Sequence, residues 1–125
     1  MRKWNIPLTY APKIAGVLAG SIRQTIRTGR KFSPGDLVSF HGWEGKPYRS
    51  KWSFRTPYAP LKDVIPITIR ADGVETSREF RPWHLLDGIA RLDGIEPPTG
   101  EALCRVLSGM HKIPEGGVEA QIIRW

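Results

Sequence analysis

Cysteine is nearly absent: Cys104 is the only one in 125 residues. That excludes an intramolecular disulfide and a zinc cage built on thiolates, and it suits a reducing, cytoplasmic setting. The three histidines, His41, His84 and His111, fall on different predicted elements without ligand spacing, so no metal is expected. Gly20, Gly29 and Gly35 do not form a phosphate-loop pattern, and no cofactor is called for. Long apolar runs are missing too. The segment Ile14 to Ala19 is too short for a membrane span and Pro7 and Pro12 interrupt its approach, so neither a membrane partner nor a signal peptide is expected. Acidic residues are scarce in one part of the chain: residues 1–55 hold eleven Lys and Arg against two acids, a balance of +9, whereas residues 56–125 hold eight against ten, a balance of −2. Such a localised excess is the footprint of a phosphate-bearing partner.

What is present suits one domain spanning residues 1–125, with an apolar fraction of 40% to build its core. Trp4, Ile6 and Leu8 alternate in a first strand within Met1 to Leu8. Thr9 is placed to cap a helix with Pro12 in its first turn and an apolar stripe of Ile14, Val17 and Leu18, stopped by Gly20. Strands are expected over Ile22 to Thr28 and, after the Ser33-Pro34-Gly35-Asp36 turn, over Leu37 to His41. Glu44-Gly45-Lys46-Pro47 reads as a loop and Trp52 to Arg55 as a returning strand. Val64 to Arg70 and Val74 to Phe80 form an expected hairpin around Asp72-Gly73. Pro82-Trp83-His84 opens a helix that continues to Leu92 and stops at Gly94. A third helix follows Pro97-Pro98-Thr99, with Leu103, Val106, Leu107 and Met110 at helical spacing, and Val118 to Trp125 closes the chain as a strand. Short strands with three helices predict an α+β domain.

Two groups of residues carry candidate chemistry. In the strand Ile22 to Thr28, alternation places Arg23, Thr25 and Arg27 on one face, with Arg30 and Lys31 just beyond; a one-residue register slip exchanges the faces. Guanidinium forks suit phosphate or base carbonyl oxygens, and a threonine hydroxyl can bond or, beside a base, attack. The second group lies between Phe40 and Tyr58, which hold six of the twelve aromatics. There Trp43 and Tyr48 are expected at the surface to stack on bases, Lys46, Arg49, Lys51 and Arg55 to neutralise phosphates, and Phe40 with one of Trp52 and Phe54 to be core. Cys104 reads as a buried structural thiol on a helical face, and Asp87, Glu96 and Glu101 as solvated surface.

The helix ending at Gly20, the Thr25-Ile26-Arg27 tripeptide, Gly35-Asp36-Leu37-Val38 and Ala90-Arg91-Leu92-Asp93-Gly94, in that order, resemble the ASCH group of the PUA-like superfamily. The resemblance implies a small PUA-like β-barrel with about three flanking helices. It also implies an RNA or modified-nucleoside partner. Members that hydrolyse N4-acetylcytidine use a lysine, a threonine and a glutamate, with the lysine three residues before the threonine. By the resemblance Thr25 matches the threonine, Asp93 falls on the glutamate, and Ile22 stands at the lysine position. Arginine is no substitute, because it stays protonated. The expectation is therefore RNA or modified-nucleotide binding in a basic cleft beside the Thr25 strand. An amidohydrolase acting on N4-acetylcytidine-like nucleosides through Thr25 and Asp93 is the alternative, and a basic protein-interaction module the third reading.

Overall fold

The first helix, α1, runs Ala11–Ala19 with Pro12 in its first turn, where a missing N–H is harmless. Tyr10, not Thr9, is the capping residue, and no side chain caps the helix. Gly20 at φ +79° ends it, and the Ser21 and Ile22 amides both return to the Gly16 carbonyl, at 2.9 and 3.0 Å. A side chain at Gly16 would collide with Ile22. These two glycines fold the chain tightly from α1 into the next strand.

The computed structural model describes residues 1–43, 52–110 and 112–125. Its strands are β1 Lys3–Pro7, β2 Gln24–Thr28, β3 Leu37–Trp43, β4 Trp52–Arg55, β5 Ala59–Pro60, β6 Asp63–Arg70, β7 Gly73–Glu75, β8 Phe80–Pro82 and β9 Val118–Arg124. The other two helices are α2 Asp87–Leu92 and α3 Gly100–Met110, with a 3-10 turn at Trp83–Leu85. The fold is mixed α+β, as composition and pattern predict. Its strands form two sheets: β3 lies between parallel β1 on one side and antiparallel β4 and β5 on the other, and the second sheet has the order β2-β9-β6-β7-β8. Among the described residues no closed barrel forms. The expected hairpin is shorter than its pattern: a Thr76-centred turn, in which Thr76 N donates to the Glu79 carbonyl at 2.8 Å, divides it into β7 and β8. The helix expected from Pro82 is likewise split into the 3-10 turn and the six residues of α2.

Two cores follow from this division. One face of the larger sheet, through Ile26, Ile67, Ile69, Ala120 and Ile122, packs against Trp83, Leu86, Ala90, Leu103 and Leu107 of the helices. The second core joins Ile6, Val38, Phe40 and Ile123 to Val17 of α1. Phe40 is buried there, as expected, whereas Phe54 is half-buried and packs against this core rather than within it. Asp36 ties the smaller sheet together, accepting from Arg2 N at 3.1 Å, Trp4 Nε1 at 3.0 Å and Ser33 N at 3.0 Å. The Trp4 bond, then the Arg2 amide, hold its carboxyl below the usual range.

Close approach makes one glycine of α3 indispensable. A Cβ on Gly100 would strike the Trp83 carbonyl oxygen, whereas one on Gly88 of α2 meets nothing within 4 Å. Gly100→Ala should cost about 1–3 kcal/mol, and Gly88→Ala should add roughly 0.5–1 kcal/mol. Urea unfolding of both variants checks the pair, and equal midpoints would contradict this packing.

Candidate active site

Lys13 stands in the buried face of α1, one turn before Val17, and is only 6% exposed. Residues i and i+4 share a helix face, so the face that buries Val17 carries an ammonium inward. Leu18, expected in the stripe, points outward instead and is exposed. Lys13 Nζ donates to Thr25 Oγ1 at 3.1 Å and to Asp93 Oδ2 at 3.0 Å. Thr25 is 1% exposed and Asp93 3%. Three residues of three elements thus meet with their reactive atoms within hydrogen-bond reach.

Local chain geometry explains the meeting. Asp93 is the C-cap of α2, and Gly94 at φ +75° turns the chain away from the helix. A Cβ at Gly94 would lie 2.9 Å from Lys13 Cβ and 3.2 Å from Ile22 Cγ1. The bare glycine therefore lets α1 approach the end of α2. Thr25 is presented by β2, whose pairing to β9 sets Thr25 opposite Ile123.

Burial governs the electrostatics. Desolvation pushes the Lys13 amine below its ordinary value of 10.5, against the opposing pull of Asp93, and the nearby Arg27 charge lowers it further. Desolvation likewise raises the Asp93 carboxyl above 3.8, against Lys13, the Gln24 amide and Arg27. Burial thus drives both groups toward their neutral forms, and the two titrate as a coupled pair. The Asp93 Oδ1 atom is buried with no well-formed hydrogen bond; the Gln24 amide lies near enough to lower the carboxyl but its described bond goes to the Ile89 carbonyl. That oxygen is an open acceptor.

The triad borders a cavity of about 30 Å³ lined also by Leu8, Tyr10, Arg27, Val106, Leu107 and Met110. Such a volume holds little more than a water. Met110, in the cavity wall, is 50% exposed. A much larger open groove, about 940 Å³, lies between residues 29–33 and 75–78, away from the Lys13, Thr25 and Asp93 side chains, which line the smaller cavity.

No family model, no curated protein and no solved structure matches this chain. The site must be read from its own geometry.

The expected residues divide accordingly. Thr25, Asp93 and Arg27 converge on the cavity. Arg23 does not join them: it precedes β2, and its Nε donates to the Trp125 carbonyl at 2.7 Å, a structural tie between strand ends. Arg30 and Lys31 border the larger groove. Arg55 lies on the smaller sheet, bonded to Asn5 and Tyr58. Trp43 is half-buried, edge-on to His41 at 5.1 Å, rather than fully at the surface. Cys104 is half-buried, with Sγ 3.8 Å from Ser108 Oγ. Lys46, Tyr48, Arg49 and Lys51, the loop Glu44 to Pro47, and His111 lie outside the described residues.

Lys13 is the member of the site that sequence reasoning misses. The signal is present: Lys13 is the only charged residue between Lys3 and Arg23, one cation in an otherwise apolar and small-residue helix. The position three residues before Thr25, where the resemblance places a lysine, holds Ile22, which is a packing residue beside Gly16 and Gly94.

Removing one member of a buried ion pair costs about 3–5 kcal/mol, while removing both is far cheaper. Lys13→Met should therefore lose about that much stability at pH 8 and less at pH 5. The stranded carboxyl, raised further without its ammonium, folds readily only when protonated. Lys13→Met with Asp93→Asn should recover most of the loss at pH 8. Thermal unfolding at both pH values, with Asp93→Asn as the second single variant, measures the cycle; a double-variant cost equal to the sum of the two single costs would show that the pair is not coupled.

Proposed function

We propose that this chain is an amide hydrolase acting on a small acyl group carried by an exocyclic nitrogen, of the kind found in N4-acylated cytidines. The observation that carries the reading is Lys13 Nζ held between Thr25 Oγ1 and Asp93 Oδ2 at 3.1 and 3.0 Å in a site nearly closed to water. The resemblance to ASCH amidohydrolases lacks a lysine in the sequence pattern, and Lys13 supplies the missing amine from a different element. Hydrolysis thereby moves ahead of binding alone. A PUA-like ancestry, with the two sheets as an opened barrel, belongs to the same proposal.

In this mechanism neutral Lys13 takes the Thr25 hydroxyl proton as Oγ1 attacks the acyl carbonyl carbon. Arg27, at the cavity wall, faces the oxygen on which negative charge develops. The carbon–nitrogen bond then breaks, and the Lys13 ammonium returns the proton to the leaving nitrogen. Water attacks the acyl-threonine, Lys13 accepts its proton, and the ester opens to carboxylic acid and free Thr25. One amide and one water become one amine and one acid. Asp93 steers the proton on Lys13 through Oδ2, and the open Oδ1 receives the substrate N–H. A shorter carboxylate than glutamate suffices because Gly94 lets Lys13 come to it.

Incubation with N4-acetylcytidine, following cytidine by chromatography, tests the proposal. Thr25→Ala should abolish release, and Lys13→Met should lower kcat/KM by about 10²–10⁴-fold, the usual worth of a general base. Undetectable cytidine with the native protein, or release that survives both substitutions, would reject it. The pH profile carries a second prediction. Activity should rise with pH as the Lys13–Asp93 pair loses its second proton, because that loss leaves the amine neutral beside a carboxylate. Because burial lowers the amine, the pair must become active below pH 10.5.

A further inference from the structure

The outward face of the smaller sheet carries a second arrangement that the cavity chemistry does not use. Tyr58 lies between two cations, with Lys3 Nζ 5.4 Å and Arg55 Cζ 5.6 Å from its ring centre. Arg55 Nη2 donates to Tyr58 Oη and to Asn5 Oδ1, both at 3.1 Å, and Tyr58 Oη donates to the same Asn5 oxygen at 3.0 Å. From the open edge of β1, Arg30 Nη1 donates to the Asn5 carbonyl at 3.0 Å while its Cζ lies 5.8 Å from the Trp4 ring. Arg2 sits 5.8 Å from the same ring.

Hydrogen bonds thus tie Arg55, Tyr58 and Asn5 together on the outward face beside Lys3, with Arg30 bonded at the β1 edge, while Trp4 turns with Ile6 toward the core and meets Arg2 and Arg30 at its rim. Among the described residues Arg2, Lys3 and Arg30 meet no carboxylate at ion-pair distance, since the ion pairs there are Lys13–Asp93, Arg70–Glu75 and Arg81–Glu79. The nearby acid, Asp36, is already engaged by three donors. Leu8, which lines the cavity, donates its amide to the His41 carbonyl of β3, in the sheet that carries this face. Cations alone would suit any acidic partner. Cations held beside half-exposed rings suit a chain that alternates phosphates with flat bases.

We infer that this face binds a single-stranded nucleic acid, its phosphates on Lys3, Arg30 and Arg55 and a base against Tyr58. That the bound strand delivers its acylated base to the Lys13 cavity rests on the hydrolase reading. Binding itself does not.

The test uses the Thr25→Ala protein, in which release is abolished, so loss of hydrolysis cannot imitate loss of binding. A fluorescein-labelled 12-nucleotide oligouridylate is titrated by anisotropy at several KCl concentrations. Lys3→Glu with Arg30→Glu should weaken binding more than 10-fold and flatten the dependence of log Kd on log salt by roughly 1.4, about 0.7 for each single-strand phosphate that is no longer neutralised. The same charge change at Arg91 and Arg105, exposed on α2 and α3, should have little effect. Tyr58→Ala should weaken binding about 5- to 100-fold, with Tyr58→Phe close to native. An equal loss from the Arg91 and Arg105 control would reduce the effect to net charge and overturn the inference. Competition by polyglutamate as effective as by RNA would overturn it in favour of an acidic protein partner.

Discussion

A lysine head group shut away from water is the constraint around which the rest of this structure is arranged. At 3.0 Å, the attraction between Lys13 and Asp93 is worth about 5 kcal/mol at an effective dielectric near 20. Withdrawing each ion from water costs several kcal/mol, so such a pair does little better than break even as a source of stability. A methionine and an asparagine would fill the same space at lower risk. What distinguishes the pair is its titration, since burial drives the amine down and the carboxyl up together. Perturbation of that kind, beside a hydroxyl and in a cavity, is the physical ground for the proposed hydrolase.

The surrounding architecture can be read as the means of keeping that lysine in place. Gly16 and Gly20 bend the chain from α1 into β2, which brings Thr25 beside the helix it has just left. Gly94 ends α2 without a side chain, so Asp93 reaches Lys13 across eighty residues of sequence. Gln24 holds the neighbouring position, bonding the Ile89 carbonyl of α2 and accepting from Arg124 of β9. Strand, helix end and helix face are each fixed by their own contacts, so Lys13, Thr25 and Asp93 are held together by the fold itself, as the proposed hydrolase requires.

Much of this fold is legible in the sequence. The helix stops at Gly20 and Gly94, the Ser33–Asp36 turn and the strand cores around Val38 and Ile67 all follow from local rules that the structure obeys. The failures are of two kinds. Val74 to Phe80 reads as one strand because its β-propensity is continuous, but Thr76 supplies side-chain bonds that favour a turn. Lys13 escapes notice because helical periodicity is scored on apolar residues, and a lysine in the stripe counts against burial. Only the tertiary approach of α2, permitted by Gly94, decides that this cation is inside. Arg23 fails in the opposite sense: alternation puts it with Thr25 and Arg27, yet the strand begins one residue later and Arg23 closes on the chain's last carbonyl.

The distinction between Lys13 and Ile22 bears on how chemistry is inherited by position. A catalytic amine is defined by where its nitrogen ends, and a lysine side chain spans enough length for that nitrogen to come from a strand entry or from a helix face. With Lys13 on α1, Ile22 packs at Gly16 and Gly94, in the turn that delivers Thr25. Asp93 Oδ2 reaches Lys13 Nζ at 3.0 Å because the bare Gly94 lets α1 lie against the end of α2. In the proposed hydrolase the two departures from the resembled pattern compensate each other, and neither is intelligible alone.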